Sequence, residues 1–376
     1  MNEPMNRAEH RPATGSRWRK LIARILFLGT LTLIGLIALS GCGQDEDLGS
    51  ISESITAVPL NPDARQVIVD TDMAPDDWMA ILYMLRRPDV EVKAITVTGT
   101  GETHCDPGIQ NVHNLAALAG RPAIPVACGP EKPIEGKRTF PEPWRRFADD
   151  MAGLSLSSNP QPESSQRASQ LLAETIRASE EPVSILTLGP LTNLAQAFQE
   201  EPALADEIAT ITIMGGAFDV DGNVGLSGVG IDNQAAEWNI YIDPQASNLV
   251  LASGAPVTFV PLDATNQAPV TLAFYERLAE NRETPAAEFV YQQLTKQRDQ
   301  IANEGYFFWD PLAAVISTNE EVATFAEMPV RVVEEEGPES GATRVSEGSP
   351  MARVAVDADR QQFEAIFLET INRPRP

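Results

Sequence analysis

The sequence predicts an α/β fold, an open and mostly parallel sheet flanked by helices. Two observations carry this. From Gln66 onward, β-branched apolar runs alternate with segments of helical spacing, the pattern of strands joined by crossover helices. Five of the strand ends carry polar or glycine-rich turns, "DTDMAPDD", "TGTGE", "LGPLTN", "MGGAFDVDGN" and "PLDATN". Ligands of open α/β sheets gather beyond the carboxyl ends of strands, so these turns locate a site without naming its chemistry.

The first strand is "QVIVD" (66–70), a β-branched run. "DWMAILYMLRR" (77–87) has helical spacing, "VEVKAITVTGT" (90–100) is a strand, and "GIQNVHNLAALAG" (108–120) is a helix stopped by Gly120. "IPVACG" (124–129) is the third strand. A helix over 167–179 leads to a strand over 183–190 and a helix over 191–199. A strand over 207–216, a helix over 243–253 and a strand over 256–265 follow. Residues 270–325 read as mainly helical. The tail, 331–371, reads as two strands around an acidic loop, then a closing helix. No internal repeat is visible.

The N-terminus differs from the rest. Residues 1–24 carry Arg7, Arg11, Arg17, Arg19, Lys20 and Arg24 against Glu3 and Glu9, and residues 25–41 are apolar and end in small residues. That combination is a secretory signal. "LSGC", ending at Cys42, resembles a bacterial lipobox, in which Cys42 is lipidated and becomes the mature N-terminus. An uncleaved anchor is the alternative, since the run is about long enough to span a bilayer. Both readings put the remaining chain outside the cytoplasm, held at the membrane of the cell envelope. The domain organisation is then a signal peptide over 1–41, a flexible acidic tether over 42–65 and one catalytic domain over 66–376.

Formal net charge is −25, and removing the six basic and two acidic groups of 1–41 takes it to −29. Such acidity argues against a nucleic-acid groove, which needs clustered Lys and Arg. Cys105 and Cys128 could pair in an exported protein, but their spacing does not decide it. A zinc site does not fit, because only His104 and His113 lie beyond the leader.

Asp70, Asp72, Asp76 and Asp77 gather where the first strand meets the first helix. The helix dipole favours carboxylates there by roughly 0.3–1 kcal/mol each. That accounts for one or two of them, not four, because adjacent carboxylates repel. A hard cation such as calcium, which takes oxygen ligands, resolves the conflict; a capped helix with a solvated acidic turn is the plainer reading. An EF-hand does not fit, lacking the central Gly and distal Glu. A haloacid-dehalogenase-like phosphatase would use Asp70 as nucleophile and Asp72 as acid, which leaves Asp76 and Asp77 idle.

"VIVDTDMAPDDWMAIL" resembles the D-x-D-P-G-x-D-D signature of the inosine–uridine-preferring nucleoside hydrolases. "LTLGPLTNLAQAF", "ITIMGGAFDVDGN", "AAEWNIYIDPQAS", "VPLDATNQA" and "FFWDPLAAV" are similar to further blocks of that family, in order, up to the closing helix. The resemblance implies a calcium-dependent hydrolysis of the N-glycosidic bond of ribonucleosides, with a small-molecule nucleoside as partner. It implies that Asp72, Asp77, Asp310 and the backbone carbonyl of Leu188 ligate calcium, and that Asp72 is the general base. Asp76 and Asn239 would hold the ribose 2′ and 3′ hydroxyls. Asn223 and Glu237 would reach the 5′ side, and Met214 would pack under the sugar. It also implies a homo-oligomer. Carboxylates around a ring that gains positive charge as its bond breaks make chemical sense.

Several positions depart from the family pattern. Met73 and Ala74 replace Pro and Gly, Gly99 is followed by Thr100 where Asn is frequent, and Asn266 stands where His is common. Trp309 precedes Asp310 where some members place a His that protonates the leaving base. Indole cannot be that acid, but it can stack on a base. Asp232, a water, or less readily His104 or His113, are left as donors; His113 and Asn111 read as structural. The glycines of "GNVGLSGVGIDNQAAEWN" suit either a mobile flap or a surface insertion. The ribose-and-metal half is therefore kept and the leaving-group half rewritten. An exported ribose- or nucleoside-binding lipoprotein without turnover is the rival from another class.

Overall fold

The computed structural model describes residues 57–161 and 165–374. The expected signal segment, Cys42 and the tether up to residue 56 lie outside them. In chain order the elements are β1 (Arg65–Thr71), α1 (Pro75–Arg86), β2 (Val90–Val97), α2 (Cys105–Leu118), β3 (Val126–Cys128), α3 (Glu142–Asp149) and α4 (Ala168–Ala178). Then come β4 (Val183–Thr187), α5 (Thr192–Glu200), β5 (Ile208–Met214), α6 (Trp238–Ile242), α7 (Pro244–Ala252), β6 (Val257–Val260) and α8 (Leu262–Thr265). The chain closes with α9 (Leu272–Glu280), α10 (Pro285–Lys296), α11 (Arg298–Ala302), α12 (Trp309–Thr318), β7 (Ala323–Val332), β8 (Thr343–Val345), β9 (Met351–Ala358) and α13 (Arg360–Ile371). Among the described residues no helix is long and apolar enough to cross a membrane.

One sheet runs in the order β3-β2-β1-β4-β5-β6-β9-β7-β8. It is parallel from β3 to β9, and β7 and β8 add antiparallel edge strands. The chain steps outward from β1 to β3, then crosses back to place β4 on the other side of β1. The carboxyl ends of β1 and β4 therefore flank a topological switch point, where open α/β sheets open a crevice.

One face of the sheet buries Trp78, Phe289, Leu312 and Phe363 from α1, α10, α12 and α13. The other buries Leu171, Leu194, Phe198 and Val250 from α4, α5 and α7. Every residue of α1 except Asp76 is buried. Pro75 opens this helix with a pre-set φ, and Asp76 and Asp77 occupy its first turn. A helix packed on all sides gives the aspartates a fixed base.

The tail contains three strands, not two, and β7 begins inside the segment expected to be helical. β7 lies near the sheet edge, is half-exposed and contains Glu327 and Pro329, so its apolar alternation is weak. β6 stops at Val260, ahead of the expected end, because Pro261 has no N–H and its carbonyl accepts instead from Ala264 and Thr265, closing α8. α3 and α6 had not been expected; both are short.

Cys105 and Cys128 form a disulfide, with Cα atoms 5.6 Å apart. It ties the start of α2 to the end of β3, beside Gly99, whose Cβ position would lie 3.1 Å from the Cys105 sulfur. By chain entropy a bridge across this separation contributes about 2–4 kcal/mol. Urea denaturation of Cys105→Ser should therefore show an unfolding free energy lower by that amount and a correspondingly lower midpoint; an unchanged midpoint would contradict it.

Candidate active site

A cavity of about 700 Å³ opens at the switch point. All ten expected site residues within the described chain line it: Asp72, Asp76 and Asp77 after β1, Leu188 after β4, Met214 ending β5, Asn223, Glu237 and Asn239 before and in α6, and Trp309 and Asp310 opening α12. Its lining contains no Lys, Arg or His.

Asp77 organises the turn. One carboxylate oxygen accepts from the Thr71 hydroxyl and from the backbone N–H groups of Asp72 (3.1 Å) and Met73 (3.2 Å). Met73 takes a left-handed conformation, φ 60°, and is fully buried. Non-glycine residues hold that conformation only where surroundings impose it. Here the Trp78 indole N–H also donates to the Met73 carbonyl at 2.8 Å. The turn thus survives without the Pro-Gly pair of the family pattern.

Asp72 is held from several sides. Its two carboxylate oxygens accept from the N–H groups of Ala74 and Glu102, both at 3.2 Å. A Cβ on Gly101 would fall 2.0 Å from the Asp72 Cβ, and one on Gly189 would fall 2.6 Å from it. Only glycine allows these two loops to close on the side chain.

Asp76, Asp77 and Asp310 each offer a carboxylate oxygen within 4.8 Å of the others. Asp77 Oδ2 and Asp310 Oδ1 are buried without a hydrogen-bond partner. Burial pushes the Asp76 carboxyl up to about 7 and lifts Asp72, Asp77 and Asp310 as well, and the mutual repulsion of these groups adds to the rise at Asp72, Asp76 and Asp310. Buried anionic oxygens without partners are costly. A hard divalent cation, which prefers carboxylate and carbonyl oxygen, fits this donor set.

A second side of the cavity hangs on α6. Glu237 caps this helix, accepting from the N–H groups of Asn239 (2.9 Å), Ile240 and Gly216 (both 3.2 Å); burial pushes its carboxyl up to about 7. The Asn239 amide donates to the Leu188 carbonyl at 3.0 Å and the Met214 carbonyl at 3.3 Å. Asn223 accepts from the Trp238 N–H at 3.0 Å.

The remaining wall is aromatic. Phe140 stacks on Trp238 at 5.1 Å, Trp144 meets Trp238 edge-on at 5.3 Å, and Phe307 lies 5.6 Å from Trp309. Sequence reasoning missed Phe140, Trp144 and Trp238, because α3 and α6 were not foreseen, and Phe307, two residues ahead of α12. It also missed Glu102, which lines the cavity and whose carboxyl burial lifts to about 8. The run "TFPEPW" (139–144), aromatics around prolines, was the available signal.

Some expectations are corrected. Asp70 does not line the cavity: it accepts from Thr96 at 2.6 Å and Asn193 at 2.8 Å, tying β1 to β2 and α5. A phosphatase chemistry loses its nucleophile by that placement. Thr100 bonds Thr98 and Thr192 and faces away from the cavity, where Glu102 stands instead. Asp232, His104 and His113 do not line it either; His104 pairs with Asp149 at 2.8 Å. Asn111 is structural, its amide donating to the Asp149 carbonyl at 3.0 Å. The insertion is closed on itself, the Gly222 N–H donating to the Gln234 carbonyl at 2.8 Å, and is tied to the tail by Asn233 donating to the Ser340 carbonyl. Its tip puts Leu226, 69% exposed, at the cavity mouth.

The family profile of the inosine-uridine preferring nucleoside hydrolases matches residues 67–365. The pyrimidine-specific ribonucleoside hydrolase RihA of Salmonella schwarzengrund (strain CVM19633) is 33% identical over 324 residues, 82% of this chain and 98% of that protein. The structure is similar to a plant nucleoside hydrolase, PpNRh1 (TM-score 0.73, 29% identity, 83% of this chain and 100% of that one). It is also similar to an inosine-guanosine nucleoside hydrolase (TM-score 0.72, 26% identity, 83% and 100%).

The raised carboxyls fix a sign for pH dependence. They bind more protons folded than unfolded, so their stabilisation is present in acid and lost as pH rises from about 4 through the 7–8 of the folded groups. Thermal melts in chelator should show Tm falling across that window. A divalent cation should flatten the fall, and equal slopes with and without it would contradict the assignment.

Proposed function

This chain belongs to the inosine-uridine preferring nucleoside hydrolase family, and on that premise we propose that its cavity hydrolyses ribonucleosides to ribose and free base with a calcium ion among Asp72, Asp77, Asp310 and the Leu188 carbonyl. The observation that carries this is the pair of buried, unpartnered oxygens on Asp77 and Asp310 at a cavity that also gathers Asp72, Asp76 and Asn239. Calcium, when bound, supplies positive charge that acidifies a neighbouring water and attracts sugar hydroxyls.

The chain's own residues do the rest. Asp72, held by Gly101, Gly189 and two backbone N–H groups, takes the proton of the attacking water. Asp76 and the Asn239 amide take the 2′ and 3′ hydroxyls, which fixes the sugar against the base. Met214 lies under the ring, and Asn223 and Glu237 lie on its 5′ side. As the C1′–N bond breaks, positive charge spreads over the ribosyl ring and the surrounding carboxylates stabilise it. Trp309 and the facing aromatics stack on the base.

We further infer that the protein is exported and lipid-anchored through Cys42. The "LSGC" motif supports this, as does the Cys105–Cys128 disulfide, a bond that persists in oxidising compartments.

A binding protein without turnover is favoured by one observation alone, Trp309 beside Asp310. Ribose release from purine and pyrimidine nucleosides by the full chain in detergent separates the two. The expected result is calcium-dependent release, abolished by chelator and reduced roughly 10²–10⁴-fold in Asp72→Ala. Calcium-dependent nucleoside binding with no release from any nucleoside would instead establish the binding protein.

A further inference from the structure

Resting on the hydrolase reading, we propose that Arg145, which lies outside the cavity lining, is a positioning residue for the reaction: from α3 it closes the loop 99–103 around Asp72 and so fixes where that carboxylate points.

The loop joins the end of β2 to the start of α2 and wraps Asp72. The Glu102 N–H donates to the Asp72 carboxylate at 3.2 Å, and the Thr103 N–H donates to the Asp72 carbonyl at 3.1 Å. Gly101 packs so closely on the Asp72 Cβ that no side chain fits between them. Consecutive residues of one loop therefore set the place of one carboxylate. What sets the loop comes from α3.

One terminal nitrogen of the Arg145 guanidinium, Nη2, donates to the Gly99 carbonyl at 3.0 Å and to the Thr103 carbonyl at 2.8 Å. These acceptors are the first and last residues of the loop, so a single planar group holds its two ends together. One turn along α3, the Asp149 carboxylate accepts from the Thr103 hydroxyl at 2.9 Å and from the His104 N–H at 2.8 Å. Positions four apart share a helix face, and from that face α3 grips the loop at carbonyl, hydroxyl and N–H groups.

Satisfying two buried carbonyls is the plainer role for this side chain. Arg is an expensive residue for that alone. It is 7% exposed here, and its Nε is buried without a partner. A guanidinium fixes direction as well as charge, because its N–H bonds are planar and rigid where those of an ammonium rotate. The neighbouring Trp144 lines the cavity, so α3 also ties the aromatic wall to the loop at Asp72. A general base displaced by about 1 Å loses roughly 10²-fold in rate.

The test is a double-mutant cycle on the full chain, in detergent with calcium. Its substrate is p-nitrophenyl riboside, whose coloured leaving group makes slow rates readable. Arg145→Met should lower kcat about 10–10²-fold and leave KM within about threefold. Arg145→Lys, which keeps the charge on rotating donors, should fall between Arg145→Met and wild type. In the Asp72→Ala background Arg145→Met should cost no more than about twofold, because the group it positions is gone. An equal loss in both backgrounds, or a kcat that Arg145→Met leaves unchanged, would overturn this inference and leave the hydrolase standing. Where thermal melting shows Arg145→Met unfolded, Arg145→Lys replaces it in the cycle and the two backgrounds are compared in the same way. A wild-type chain that releases neither p-nitrophenolate nor ribose from any nucleoside would overturn the hydrolase reading and this one with it.

Discussion

The site depends on buried carboxyl groups that no cationic side chain of the cavity lining neutralises. Asp72, Asp77 and Asp310 are essentially sealed from solvent, with Asp76 beside them, and no cationic side chain lines their cavity. Burial of carboxylates is among the most unfavourable things a fold can do without a counter-charge. The protein pins them in place with backbone donors and close-packed glycines, so the charge cannot relax away. A cation and the hydroxyls of a sugar are what such a concentration of oxygen is suited to receive.

The rest of the structure serves that constraint. The order of strands puts the ends of β1 and β4 side by side at the switch point. The packed helix α1 holds Asp77, and Asp77 in turn holds the strained Met73 that shapes the turn. Glu237 links the end of β5 to α6 through Gly216, so this side of the cavity is braced to the sheet. Asp70, the one member of the aspartate cluster outside the cavity, joins β1, β2 and α5 beneath it. One carboxylate is structural and its neighbours two and seven residues on line the cavity, a distinction that spacing alone does not reveal.

The parallel core and the residues around the aspartate turn were legible because strand–helix alternation and short acidic and amide blocks are local signals. All ten residues they pointed to lie around one cavity. The base side was not legible. Its wall comes from Phe140 and Trp144, brought in by a short helix far from the aspartates, and from Trp238 at the start of another short helix. Glu102 escaped because the turn was read at Gly99-Thr100, whereas Gly101 is the glycine that closes on Asp72. The start of β7 and one of the tail strands escaped because a polar, proline-containing stretch near the sheet edge has little periodicity to read. The polar residues of the cavity sit in compact motifs; its aromatic residues are scattered, and tertiary structure alone assembles them.

The claim that buried carboxylates are organised around a cation is tested most directly by equilibrium dialysis of the full chain at neutral pH, with bound metal measured by elemental analysis. The account predicts about one calcium per chain, lost on Asp77→Asn and on Asp310→Asn and retained on Asp70→Asn. A wild-type protein that stays folded at neutral pH and takes up no divalent cation would contradict it.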